Sequence, residues 1–376
     1  MKQGWEYKKL GEVCQVTMGQ SPDGTSINNL EGIEFHQGKT CFGDMFLGKS
    51  NQYTTSPTKL AEANSVLLCV RAPVGFPNIT KREICIGRGL CSLSSSTELD
   101  NFFLFYALLG KQDYFEKNAT GSTFKAISSK VVNNTLIPLP PLPVQQSIVA
   151  ELDEINHLLS LKRKQLETYD KLAQSLFYEM FGDPVENEKG WEVKKLGEIG
   201  ELARGVSKHR PRNAPELLGG TMPLIQTGDV ANADFYINSY SSTYSDLGVA
   251  QSKIWESGTL CITIAATIGK CAILGFTACF PDSVVGFKPY ENTDTIYMYY
   301  IFSNMQKMLE DFAPGVAQKN INLKILNDLK IPLPPLPLQQ QFAQRIEAIE
   351  AQKANVKAAI EKLETLLAAR MQYWFE

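Results

Sequence analysis

One long passage of this chain occurs twice. Ile137-Pro-Leu-Pro-Pro-Leu-Pro143, followed by Val144-Gln-Gln, returns 194 positions later as Ile331-Pro-Leu-Pro-Pro-Leu-Pro337, followed by Leu338-Gln-Gln. Gly4-Trp-Glu-Tyr-Lys-Lys-Leu-Gly-Glu12 returns 186 positions later as Gly190-Trp-Glu-Val-Lys-Lys-Leu-Gly-Glu198. The difference between these displacements marks a net insertion of eight residues early in the second copy. Solenoid and propeller repeats fall at about 20 to 50 residues, so this period describes a duplicated domain. Two similar but unlike surfaces held in one chain suit the reading of two different features on one partner.

Each copy ends in a segment with helical spacing. From Val144 to Phe181 there is no Gly or Pro until Gly182-Asp-Pro184, and a stripe runs through Leu152, Ile155, Leu159, Leu166, Tyr169 and Leu176. The second copy has a stripe in the same register through Ile346, Ile349, Val356, Ile360, Leu363 and Leu367. Such spacing, flanked by Glu, Lys, Gln and Asn, predicts two long helices whose seams pack antiparallel on each other. About 38 residues at 1.5 Å rise would span roughly 55 Å. The Pro-Leu-Pro-Pro-Leu-Pro element then reads as a stiff connector fixing globule to helix.

The globules carry short β-type runs, among them Ser65–Val70, Glu83–Ile86, Thr259–Ile264 and Lys270–Leu274, and aromatic stretches of helical look at Phe102–Leu109 and Ile296–Phe302. The expected fold class is α+β, with two pseudo-symmetric mixed α/β domains separated by two long helices forming an antiparallel coiled coil. Boundaries are drawn at 1–143, 144–182, 183–337 and 338–376.

Charge narrows the function. The net charge is −3; residues 1–143 hold 14 basic and 12 acidic groups, and residues 183–337 hold 14 and 17. A nucleic-acid surface must therefore be local and use shape as well as attraction. No run approaches the length of a membrane span, and the N-terminus lacks a signal-like apolar stretch, which predicts a cytoplasmic chain with no membrane partner. Eight cysteines without a CxxC pair and three histidines predict reduced, mostly buried thiols and no metal site.

Gly43-Asp-Met-Phe-Leu-Gly48-Lys49-Ser50 spells the nucleotide-binding P-loop, but a poor helix start, Asn51 to Pro57, follows it, so nucleotide binding is not expected. Base-methylating tetrapeptides, HExxH and Gly-x-Ser-x-Gly are absent from the sequence, and Gly87-Arg-Gly89 stands alone as a glycine-rich loop. No catalytic residue is assigned, and any chemistry is expected of partners.

The opening motifs, the loops Gly121–Ile127 and Gly315–Ile321, the Pro-x-Gln-Gln junctions and the closing helices, in this order and twice, resemble the specificity (S) subunit of type I DNA restriction-modification systems. The resemblance covers essentially the whole chain. It implies two target recognition domains, each reading half of a bipartite double-stranded DNA sequence. It also implies docking of modification (methyltransferase) subunits, two in number, and of restriction (translocase and nuclease) subunits. The chain itself would bind no cofactor, and S-adenosylmethionine, ATP and magnesium would belong to the partners. It would be a non-enzymatic subunit of a DNA-methylating complex. Two other readings are a coiled-coil adaptor that binds only proteins and a fused enzyme, the latter lacking its motifs.

For that role, Lys125 and Lys319 share one place in both copies and are expected on phosphate. Base readers are expected among Arg71, Lys81, Arg82 and Arg88 in the first domain. In the second they are expected among Arg204, Lys208, His209, Arg210 and Arg212.

Overall fold

The computed structural model describes residues 4–121, 125–209, 211–265, 268–311 and 321–375. The chain divides into two compact units, one formed by residues 1–163 with 358–376 and the other by 164–357. Each unit therefore contains one globule and portions of both long helices.

The duplicated motifs are two halves of one element. Strand Glu6–Lys9, from the opening motif, pairs antiparallel with Leu136–Leu139, from the proline junction, and Val193–Lys195 pairs in the same way with Lys330–Pro332. The turn that follows explains Lys-Leu-Gly-Glu. Leu10 and Leu196 are fully buried, and Glu12 and Glu198 accept from the backbone N–H of Lys9 and Lys195. A Cβ on Gly11 or Gly197 would stand 2.5 Å from the side-chain oxygen of Asn133 or Asn327 respectively.

The first Gln of each junction is completely buried. Gln145 donates to the carbonyls of Pro140 (2.7 Å) and Glu98 (2.8 Å) and accepts from the Asp100 N–H (2.8 Å). Gln339 repeats this with Pro334 (2.7 Å), Asn292 (3.3 Å) and Asp294 (2.9 Å). Asp100 and Asp294 cap the aromatic helices Asn101–Leu109 and Thr295–Asp311. One amide thus locks the start of the long helix to the start of the aromatic helix.

In the first unit a four-stranded antiparallel sheet runs in the order Cys14–Met18, Leu90–Ser95, Val66–Cys69, Pro77–Ile79. In the second, Gly200–Arg204, Val284–Pro289, Leu260–Thr263 and Cys271–Leu274 repeat that order, and Tyr236–Ile237 adds a parallel edge. Equivalent pairings locate the insertion. Gly19 and Gly205 both donate to the strand behind them, at Leu90 and Val284, and Phe35 and Leu224 both pair in parallel with Cys85 and Cys279. Gly19 to Phe35 is 16 positions whereas Gly205 to Leu224 is 19, so three residues enter there. Leu60 and Ile254 pair with the same two cysteines, and the 25 positions from Phe35 to Leu60 become 30 from Leu224 to Ile254. The remaining five residues enter in that span, which holds the short helix Asp246–Ala250.

The long helices run Leu142–Phe181 and Leu336–Phe375, and Gly182 closes the first with a φ of 77°. In the first unit Arg370 pairs with Glu151, Trp374 Nε1 donates to the same carboxylate (3.1 Å), and Arg163 donates to Glu364 (3.0 Å). In the second unit Asp170 meets Lys353 (2.8 Å), and the Phe181 and Phe342 rings lie 5.2 Å apart. In both, partner numbers fall as residue numbers rise, so the segments are antiparallel. Leu152, Ile155, Leu159, Ile346, Ile349 and Val356 are buried, and Leu166, Tyr169, Leu176, Ile360, Leu363 and Leu367 are half-buried. The helices also pack on the globules, because Leu152 belongs to the first core and Ala173, Phe177, Phe181 and Phe342 to the second. Lys353 is buried in the second seam. Burial alone would lower its pKa, but hydrogen bonds to Asp170 and Glu350 raise it above the ordinary lysine value, so it stays charged. Among the described residues no helix is long and apolar enough to cross a membrane.

Candidate nucleic-acid interface

In the first unit, three of the expected cations come together where the central strands end. Val70 donates to the Gly89 carbonyl (2.9 Å), Ile127 donates to the Val70 carbonyl (3.0 Å), and Ala72 donates to the Lys125 carbonyl (2.9 Å). These bonds bind three loops into one rim carrying Arg71, Arg88 and Lys125, all exposed. Among the described residues no carboxylate lies within ion-pairing distance of any of the three. Gly121, just before Lys125, has a φ of 109°, which only glycine adopts readily.

Lys81 and Arg82 lie elsewhere. The Lys81 ammonium sits 3.7 Å above the Phe46 ring. Arg82 turns inward and forks onto Glu34 with both contacts at 2.5 Å, and it also donates to the carbonyls of Leu47 (3.3 Å) and Gly48 (2.8 Å). Glu34 in addition accepts from the Ser50 N–H (2.6 Å) and faces His36 at 2.9 Å. Burial would raise the Glu34 pKa, but the Arg82, Ser50 and His36 hydrogen bonds win and hold it down at about 2. Burial likewise depresses His36, against the opposing pull of Glu34. This network ties down the P-loop look-alike. Its Ser50 amide points at a carboxylate rather than at a site for phosphate, and Gly43 and Gly48 are bonded to Phe46 (3.2 Å) and Cys41 (2.8 Å) in a small hairpin.

In the second unit two of these bonds recur among the described residues, with Ile264 donating to Ser283 (3.2 Å) and Ile321 to Ile264 (3.1 Å). Its charges differ. The place of Arg71 is taken by Ala265 and the place of Arg88 by Asp282. Arg212 approaches both Asp282 oxygens, at 2.6 and 2.8 Å. His209 lies 3.8 Å from Glu216, and its N–H and that of Lys208 both donate to Gln251 Oε1 (3.0 and 2.6 Å). Arg204 is half-buried with Nη2 3.5 Å from the Ile321 carbonyl. Arg210 and Lys319 lie outside the described residues.

Sequence reasoning missed the buried glutamines, Glu34, Gln251, Asp282 and the aromatic wedge of Phe177, Phe181 and Phe342. The wedge had a signal, since 173, 177 and 181 share one helical face. So did the glutamines, which recur in both junctions. Glu34 and Asp282 had none, because their partners lie 48 and 70 positions away.

Comparison with known proteins agrees with this architecture. The family model described as type I restriction modification DNA specificity domain matches twice, over residues 2–168 and 188–365. The type I restriction enzyme MjaVIII specificity subunit of Methanocaldococcus jannaschii is 24% identical over 96% of this chain and 92% of its own length. A second protein of that organism, provisionally named the MjaX specificity subunit, is 40% identical, and that match spans 46% of this chain and 41% of the relative. Among solved structures, the type I restriction-modification S subunit of M. genitalium shares the fold with a TM-score of 0.63 at 16% identity, covering 99% of this chain and 96% of that one. The matches give the adaptor reading no support.

Proposed function

The chain belongs to the type I restriction-modification DNA specificity family, and from that premise we infer that it is the DNA-recognition subunit of such a complex. The observation that carries this is the double family match, one per copy of the duplication. Each globule would read one half of a bipartite duplex sequence, and because the halves of the protein are unlike, the DNA need not be palindromic. The first rim would set Arg71 and Arg88 toward base edges and Lys125 toward phosphate, since phosphate contacts position while base contacts specify. The second would use Lys208, His209 and Arg212.

We further propose that the long helices dock two modification subunits, that restriction subunits join this core, and that S-adenosylmethionine, ATP and magnesium act there. This chain supplies recognition without catalysis. Long-read sequencing of methylated DNA from a host carrying this chain with its modification subunit tests the reading. A methylated motif of two short, unlike halves separated by unspecified base pairs is expected. Methylation without a motif, or no sequence-dependent retardation of DNA by the complex, would overturn it.

A further inference from the structure

We propose that Asp282 is a positioning residue for base recognition, aiming Arg212, and that the residues inserted in the second copy frame this pair. The inference rests on the DNA-specificity reading above.

Charge is transposed between two equivalent loops. In the first unit the loop after Gly19 carries Asp23, which is spent on the Thr25 N–H (2.9 Å) and hydroxyl (2.6 Å), while the turn Gly87–Gly89 presents Arg88. In the second unit the loop after Gly205 carries Lys208, His209 and Arg212, while the equivalent turn presents Asp282. The reading arginine has moved from the turn to the loop, and the acid has taken its place on the turn.

Moving a guanidinium onto a longer loop makes its position less certain, and the inserted residues counter this. A net three of them enter between Gly205 and Leu224, the span that holds the arginine loop. The other five lie in the span that includes the helix Asp246–Ala250, whose end delivers Gln251 and Ser252 to that loop. Gln251 Oε1 receives two consecutive loop N–H groups, and Ser252 Oγ donates to the Val206 carbonyl (2.8 Å). The two lengthened spans thus hold the arginine loop and its anchor.

The last fixed point is Asp282. Its contacts with Arg212 are at the surface, with side-chain exposures of 35% and 44%, so the pair adds little to folding. It contacts the guanidinium through Nη2, one nitrogen of a rigid fork that carries five N–H donors in all. The donors on Nε and Nη1 lie outside that contact and can serve guanine O6 and N7. A carboxylate that fixes the fork beforehand lowers the ordering cost of that contact.

The test uses the full chain assembled with its modification subunit, with duplexes altered one base pair at a time and the methylated motif read by sequencing. Arg212→Gln should cost discrimination at one base pair of one half-site by roughly 5- to 150-fold. Asp282→Asn should weaken discrimination at that same base pair by a smaller factor, Asp282→Glu should restore most of it, and the other half-site should be unchanged. Melting temperatures should stay at the wild-type value, which separates positioning from a structural role. Discrimination kept in Asp282→Asn but lost in Arg212→Gln would overturn the role of Asp282. Equal weakening on every duplex, or a lowered melting temperature with both half-sites disturbed, would overturn the whole inference. A wild-type complex with no sequence preference would overturn the specificity reading itself.

Discussion

Arg88 and Asp282 occupy one place in two copies of the same rim, and the backbone bonds beside them repeat, Val70 to Gly89 and Ile264 to Ser283. Away from the rims the contrast is as sharp. Where the first unit holds Glu34 and Arg82 in an ionic network, the second has Pro223 and Phe276, the latter packed against an apolar cluster. What the copies keep is the paired motif strands and the buried glutamine; what they exchange is charge at fixed backbone positions. The parts that hold each globule to the helices are thus kept, while charge has changed both at the rims and away from them.

The largest test of this contrast lies in the helix packing. Phe177 is fully buried among Tyr297, Tyr300 and Phe342, while its counterpart in the first unit, Met371, is only partly buried. Phe177→Ala should destabilise the second unit by about 3 to 5 kcal/mol, and Met371→Ala the first by less than about 2 kcal/mol. Denaturation followed by segment-resolved hydrogen exchange measures both. Equal costs would mean that the two helix ends are packed alike.

Gln145→Leu and Gln339→Leu address what is shared. Each removes a buried amide and leaves carbonyls of the junction without their donor, at about 1 to 3 kcal/mol. The same measurement should give similar losses in the two units. A loss confined to one would show that the junction has diverged as the rims have.

Acid should separate the units. Glu34 titrates at about 2 in the folded chain against an ordinary 4.5, so it contributes stability above the unfolded value and loses it as the pH falls toward 2. His36, depressed below its ordinary 6.5, has the same sign, and its contribution fades as the pH drops from that value through its lower folded one. The first unit should therefore weaken before the second between about pH 6.5 and 2, and Glu34→Gln should flatten its acid dependence. A second unit that opens first in acid would remove Glu34 as the cause of the difference.

The scaffold was largely legible in the sequence because its signals are local. Pro141 and Gly182 bracket the first long helix, and the runs at 65–70, 83–86, 259–264 and 270–274 became strands Val66–Cys69, Ile84–Ile86, Leu260–Thr263 and Cys271–Leu274. The proposed recognition surface was legible only as a set of cations. Arg71 and Arg82 look alike in the sequence, and only the fold brings Glu34 to one and leaves the other exposed. The insertion was visible as a number, but its coupling of Gln251 to Lys208 and His209 required the strand register.

The smallest expected effect is at Lys125, and its value lies in its kind rather than its size. Its carbonyl is fixed to Ala72, and its side chain is exposed beside Arg71 and Arg88. A lysine placed by its backbone and free at its tip suits a phosphate, which carries no sequence. Each phosphate neutralised contributes about 0.9 to the slope of log K against log salt, so Lys125→Gln should make that slope shallower by about 0.9 and weaken every duplex alike. Arg88→Gln should instead alter the motif in the half-site read by the first domain. If Lys125→Gln changed the methylated motif and left the salt slope as it was, Lys125 would belong with the base readers, and the division of the first rim into positioning and reading cations would fail.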